Sequence, residues 1–181
     1  MPPQKPEAHA SDLTNEERLA ALFESCYPRL THYAYARLGN AAEAEDVASE
    51  VFVRAFESLD SYRDRGAPME AWLFAIARNM VIDRYRKFSR IERVTDDEGI
   101  EPAGGDDPAG RAEQRVLMRD VQAALQRLTP DQREVVSLRF FGGLSSKEVA
   151  ALMNRRDGAI REMQRAALER LRGLLSPDQM P

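Results

Sequence analysis

Residues 44–59 read AEDVASEVFVRAFESL. Val47 and Ala48, Val51 and Phe52, Ala55 and Phe56, and then Leu59 recur three and four positions apart, the spacing of one helix face. Asp46, Glu50 and Glu57 fall opposite them. A strand would alternate residue by residue, and this stretch does not, so a helix is predicted from about Ala42 to Ser58. The same period extends outward in both directions. Upstream, Thr14 with Glu17 forms a capping box ahead of Leu19, Leu22/Phe23, Cys26/Tyr27, Leu30, Tyr33/Ala34 and Leu38. Pro28 is predicted to kink or break that helix, and Gly39-Asn40 to end it. Downstream, Pro68 suits the first turn of a third helix running past Tyr85. Its opening, AWLFAIA at residues 71–77, is apolar nearly all round and must be packed on several sides.

The pattern stops at residues 95–110, TDDEGIEPAGGDDPAG, whose Gly, Pro and Asp content reads as a flexible acidic linker. Its paired aspartates lack the spacing of a twelve-residue calcium loop. Helical periodicity then resumes from about Ala112 to Leu128. The next helix opens on Thr129, Pro130 and Gln132 and ends at Gly142-Gly143. A short one runs from Ser145, boxed with Glu148, through Met153, and a last from about Asp157 to Leu175, before Ser176-Pro177. With no convincing alternating strand, the expected fold is all-α, two small helical modules on a tether. The boundaries are a disordered tail at 1–13, a first module at 14–91, a linker at 92–111, a second module at 112–176 and a tail at 177–181.

The chain has 181 residues and a net charge of −4, which at first argues against a nucleic-acid binder. Resolved by segment the charge alternates: −5 over Asn40–Asp60, +4 over Trp72–Arg93, −6 over Val94–Pro108 and +3 over Asn154–Arg172. Such asymmetry suggests separate surfaces for separate partners, although solvated helix faces explain any single run. The longest apolar run, Ala71–Ala77, is far short of the roughly 20 residues a membrane span needs. The N-terminus has no secretory apolar stretch, so a cytoplasmic protein is expected. The single cysteine, Cys26, sits on an apolar stripe and reads as a buried structural thiol. Only His9 and His32 accompany it, with no metal-ligand spacing, phosphate loop or nucleophile motif, so neither enzymatic activity nor a cofactor is expected.

Two constellations carry chemistry. Residues 145–175 have the order of a helix-turn-helix: a short helix, a tight turn at Asn154–Arg156, and a longer helix. Ile160, Met163, Ala167, Leu171 and Leu174 make the inward stripe, and Arg155, Arg156, Arg161, Gln164 and Arg165 are read as the outer, DNA-facing side. Arginine can bind guanine bidentately or grip phosphate, and glutamine suits adenine. In the first module, Asn79, Asp83, Arg86 and Arg90 share one polar stripe, preceded by the loop SYRDRGAPMEAW with Tyr62, Arg63, Arg65 and Trp72. Arginines interleaved with aromatics suit unstacked single-stranded bases, while Trp72 at a helix start also suits a core.

These residues are similar to those of the extracytoplasmic-function sigma factors, the small group of the bacterial sigma-70 family. AEDVASEVFVRAFESL followed by AWLFAIARNMVIDRYRK resembles that family's region 2, and LTPDQREVVSLRFFGGLSSKEVAALM resembles region 4, over roughly Leu22 to Leu175. The resemblance implies a promoter-specificity subunit. The helix with Asp46, Glu50, Phe52, Arg54 and Phe56 would dock on the clamp helices of the polymerase β′ subunit. The loop at Ser61–Glu70, with Tyr62, Arg63, Arg65 and Trp72, would capture flipped bases of the −10 element. Asn79, Asp83, Arg84, Arg86 and Lys87 would read and grip it. The Ser145–Arg172 motif would recognise −35 duplex, the helices before it would bind the β flap, and the acidic linker would lie near the RNA-exit path. An anti-sigma protein covering both modules is a further implied partner. Glu162 and Ala166 depart from the commoner recognition-helix pattern, which leaves the −35 sequence open.

LTPDQREVVSL with GLSSKEVA also resembles the helix-turn-helix output domains of response regulators. That alternative would bring a receiver domain of alternating strands and helices, for which Leu13–Phe88 shows no pattern.

Overall fold

The structure is a computed structural model that describes residues 13–64, 66–91 and 120–175, the side chains of 88–91 excepted. The predicted linker and tails lie outside the described residues, as does the expected helical stretch before Asp120. Every regular element among the described residues is helical. In the first module α1 spans Asn15–Leu38, α2 Ala41–Glu57 and α3 Met69–Ile91, with a 3₁₀ turn at Leu59–Ser61. In the second, residues 120–126 form α4, Pro130–Val136 α5, Ser146–Met153 α6 and Asp157–Leu174 α7.

The capping expectations hold in detail. Thr14 Oγ1 accepts from Glu17 N at 3.2 Å while Thr14 N donates to Glu17 at 2.8 Å, and Thr129/Gln132 and Ser145/Glu148 form the same reciprocal box. Gly39 closes α1 at φ +72°, a conformation that favours glycine. The predicted break at Pro28 does not occur: α1 runs through it. Pro28 and Glu24, whose carbonyl loses its helical donor, are both exposed, so water can replace the missing bond.

The inner stripe of α2 also differs from its expected membership. Ala44, Val47, Ala48, Val51 and Ala55 are buried against α1 and α3, whereas Phe52 is half-buried and Phe56 is 63% exposed. Three alanines on the inner seam bring the helices close, and the phenylalanines lie about 100° round from it.

The two modules are packed together, which their sequence patterns did not indicate. Leu30, Tyr33 and Phe74 share one apolar cluster with Val135, Leu138, Leu144 and Val149. The all-round apolar start of α3 is thereby explained: α1 and α2 cover part of it, and α6 another part. α5 does not stop at Val136 but widens into a π turn at Ser137–Phe141, in which Gly142 N donates to Ser137 O at 2.9 Å. A Cβ on Gly142 would lie 2.7 Å from Leu138 O and 2.9 Å from the Phe74 ring. Glycine there is what lets the π turn seat against α3.

Candidate nucleic-acid and partner interfaces

At the end of α6, Asn154 adopts φ +51°, and Arg155–Arg156 lead directly into α7. The tight turn was expected from Asn154, whose short polar side chain tolerates this conformation. Ile160 and Ala167 of the inward stripe are buried. Arg155, Arg156, Arg161 and Arg165 are all exposed, in agreement with an outer basic face. Three of them are already paired: Arg155 with Asp131 at 2.8 Å, Arg161 with Asp157 at 2.5 Å, and Arg165 with Glu162 at 2.6 Å and Glu169 at 2.8 Å. The Arg165 guanidinium holds the Glu162 carboxyl below the usual carboxylate range. Exposed pairs of this kind contribute only about 0–1 kcal/mol, so a phosphate can displace the acids.

Gln164 is placed differently from the reading as an outward contact. It is half-buried and accepts a 2.9 Å hydrogen bond from Arg139 Nε, while Arg139 also binds Leu144 O. It follows Ile160 by four positions and so lies beside the inward stripe. Its carbonyl oxygen is the atom turned to Arg139, because a guanidinium only donates.

The aromatic-basic loop of the first module is built around a pair. Tyr62 packs on Trp72 with ring centroids 4.8 Å apart, and Tyr62 is buried, its hydroxyl without a partner among the described residues. Arg63 is exposed and its Nη1 donates to Asp60 O at 2.7 Å and Tyr62 O at 3.0 Å, holding the 3₁₀ turn. Arg65 lies outside the described residues. Beyond the loop, α6 forms the opposite wall of a cleft of about 800 Å³, lined by Tyr62, Arg63 and Trp72 on one side and Lys147, Ala151 and Leu152 on the other.

Along α3, Asn79, Asp83, Arg86 and Lys87 are exposed, with Arg86 3.9 Å from Asp83. Arg84 is turned the other way. It clamps α3 to α2 through Glu43 and, at 3.1 Å, Glu50. The α2 candidates divide likewise. Asp46 is exposed, while Glu50 binds Arg54 at 2.5 Å with one oxygen and Arg84 with the other. Burial alone would raise the Glu50 carboxyl, but the hydrogen bonds and charges of Arg54 and Arg84 outweigh it and hold the group low.

Phe52 and Phe56 belong to a groove that reading α2 alone could not show. Phe23 of α1, expected on the inner stripe, is 48% exposed and packs against Phe52 with tilted rings, centroids 4.8 Å apart. Leu19, Ala20, Phe23, Phe52 and Phe56 line one apolar trough, rimmed by Glu16 and Glu24. Among the described residues no cluster of His, Cys, Asp or Glu could hold a metal ion. No described helix is long and apolar enough to cross a membrane.

Comparison with known proteins matches residues 22–91 to the family model "Sigma-70 region 2" and residues 124–173 to "Sigma-70, region 4". The chain is 35% identical over 161 residues to the ECF RNA polymerase sigma factor BldN of Streptomyces coelicolor, covering 87% of this chain and 60% of that longer protein. It is 31% identical over 156 residues to the ECF RNA polymerase sigma factor SigL of Mycobacterium tuberculosis, covering 85% of this chain and 86% of that one. Among solved structures, the sigma factor RpoE bound to the anti-sigma factor NepR, from Bartonella quintana, superposes with a TM-score of 0.68 at 28% identity. That superposition covers 90% of this chain and 97% of RpoE.

Proposed function

The chain belongs to the extracytoplasmic-function group of the sigma-70 family, and from that premise we propose that it is a promoter-specificity subunit of bacterial RNA polymerase. The observation that carries this reading is the presence of both readers in one chain. A helix-turn-helix with six exposed arginines follows a module with a Tyr62/Trp72 loop and an exposed stripe of Asn79, Asp83, Arg86 and Lys87. The response-regulator alternative is not favoured, because residues 15–64 and 66–91 contain no strand.

In this proposal Arg155, Arg156, Arg161 and Arg165 engage −35 duplex, through phosphates and through base edges. Gln164 takes part only through the edge that Arg139 leaves free. The loop of Tyr62, Arg63, Arg65 and Trp72 stacks and traps unpaired −10 bases, with Asn79, Asp83, Arg86 and Lys87 beside it. Arg84 acts by bracing α3 on α2. Asp46, Glu50, Arg54 and the Phe52/Phe56 edge meet the β′ clamp helices, and the helices ahead of α6 meet the β flap. Selection of the start site comes from binding energy, with unpaired bases captured as they form and no bond-making by this chain. An anti-sigma protein is the expected cytoplasmic antagonist, as NepR is the partner in the RpoE complex.

The decisive experiment is transcription in vitro with core polymerase on genomic fragments. Discrete, factor-dependent start sites are expected, and their absence would refute the proposal.

A further inference from the structure

Glu162 of α7 is an acid on a face of arginines. At about 100° per residue it stands roughly 200° round the helix from the buried Ile160, so it lies opposite the inward stripe. Its side chain is 66% exposed. One turn before it come Gly158 and Ala159, both exposed, and a Cβ on Gly158 would meet no atom within 4 Å. The first turn of α7 is therefore bare on this side, which lets the helix approach a groove floor closely. Glu162, four residues on from Gly158, is the first long side chain along that line.

Arg165 is fastened to it side by side. Arg165 Nη2 donates to Glu162 Oε1 at 2.6 Å and Nε to Oε2 at 3.3 Å, while Nη1 donates to Glu169 at 2.8 Å. A guanidinium has one more N–H on each Nη, and these remain to face a ligand. The hydrogen bond and charge of Arg165 hold the Glu162 carboxyl below the usual carboxylate range, so it is ionised at neutral pH. An ionised carboxylate accepts hydrogen bonds and donates none.

We infer that Glu162 is a specificity-determining residue that reads a cytosine and, with Arg165 beside it, selects one C·G pair in the −35 duplex. The inference rests on the promoter-reading function proposed above. In the major groove cytosine presents only the N4 amino donor, guanine only the N7 and O6 acceptors, thymine O4 and a methyl group, and adenine one donor and one acceptor. A carboxylate accepts from cytosine N4 and meets no acceptor on that base. Guanine or thymine in its place would set oxygen against oxygen and leave a desolvated charge unpaired. Adenine offers a donor with the N7 acceptor alongside, a poorer match. The guanine across the C·G pair supplies O6 and N7 to the remaining N–H groups of Arg165. An acid and a base locked together thus match the donor and acceptors that lie side by side in one base pair. Negative charge on this face weakens attraction to phosphate, and it penalises the wrong bases more than the right one, so Glu162 acts mainly by exclusion.

The test selects duplexes randomised across the −35 element with holoenzyme made from the full chain and core polymerase, and sequences the bound pool. The wild type should enrich cytosine at one position, and Glu162→Gln should cut that enrichment about three- to tenfold while the rest of the motif stays. Four duplexes that differ only at that pair are then titrated. Glu162→Gln keeps one acceptor oxygen and frees Arg165, so it should tighten the cytosine duplex modestly and the guanine and thymine duplexes at least about threefold more. Glu162→Ala should abolish the preference. Glu169→Gln also frees Arg165, and should tighten all four duplexes alike. Equal tightening on all four by Glu162→Gln would overturn the inference, as would the same loss of preference in Glu169→Gln, or guanine or thymine at the Glu162-dependent position of the wild type. A motif that neither Glu162 variant alters would overturn it and leave promoter reading standing. A wild type that enriches no −35 motif would refute promoter reading itself, and the inference with it.

Discussion

The Tyr33 hydroxyl of α1 donates a 2.7 Å hydrogen bond to the buried Glu134 carboxylate of α5, across 101 positions of sequence. This bond joins the first module to the second. It differs in kind from the ion pairs on α7. A buried charge that loses its partner costs about 3–5 kcal/mol, whereas an exposed pair is worth about 0–1. Removing one partner from the buried cluster is therefore costly, and the exposed pairs on α7 are exchangeable. Tyr33→Phe keeps the ring and removes only the donor, leaving a buried carboxylate oxygen short of one bond. A loss of about 1–3 kcal/mol in urea unfolding is expected, and an unchanged midpoint would show that the bond contributes nothing.

Gly142→Ala forces a methyl to within 2.7 Å of Leu138 O and 2.9 Å of Phe74, in a buried seam with little room to yield. The expected penalty is about 1–3 kcal/mol. Gly158→Ala in the first turn of α7 meets no atom within 4 Å. There the smaller unfolded-state entropy should stabilise by about 0.4–1 kcal/mol. Thermal melts of the two variants should move in opposite directions.

Asp46 and Glu50 share an acidic face but not a role in stability. Asp46→Arg should weaken binding to core polymerase in a fluorescence titration and leave the melting curve in place. Glu50→Gln should weaken binding and also lower the melting temperature, because it removes the charge of one of the two carboxylates through which Arg84 ties α3 to α2. A melt shift for Asp46→Arg as large as that for Glu50→Gln would contradict this division.

The Glu50 carboxyl is held below its ordinary value of 4.5 in the folded state. Between the two values the unfolded chain binds more protons, so stability falls as pH drops below about 4.5. The stability gap between the wild type and Glu50→Gln should be fully present at neutral pH and close on acidification through that range. A gap that does not change with pH would assign it to packing instead of charge.

On α7, Glu162 pairs with Arg165, a residue the proposal assigns to −35 DNA. Glu162→Gln should tighten holoenzyme binding to −35-containing duplex about 1.5- to fivefold, the worth of one exposed pair. Arg161→Ala should weaken it and lower the slope of log affinity against log salt by about 1. Filter binding across a salt series reads both effects.

Much of this was legible in sequence because it depends on neighbours along the chain. A helix face is set by residues three and four apart, and a capping box by residues three apart, so Thr14/Glu17 and Ser145/Glu148 could be read directly. The left-handed turn at Asn154 and the outward arginines of α7 follow from the same local rules. The misplacements occur where a second element decides. Phe23 and Phe56 are apolar and correctly spaced, yet they emerge on the surface because three alanines pull the α1–α2 seam to one side. Gln164 is polar and near the basic face, yet Arg139 from another element captures it. Arg84 looks in sequence like its exposed neighbours Asp83, Arg86 and Lys87 until Glu43 and Glu50 of α2 come within reach.

The chain by itself determined that its described residues are helical, the capping boxes that open α1, α5 and α6, that it carries two modules, and which family it resembles. Each of those rests on short-range periodicity, caps and contiguous motifs. Only the tertiary structure decided that the modules close on each other through Glu134, Arg37, Arg78 and Tyr33. A single buried carboxylate has no periodic signature in sequence. Its burial is sustained by two cationic partners and a phenol brought in from α1 and α3, and that convergence exists only once the chain is folded.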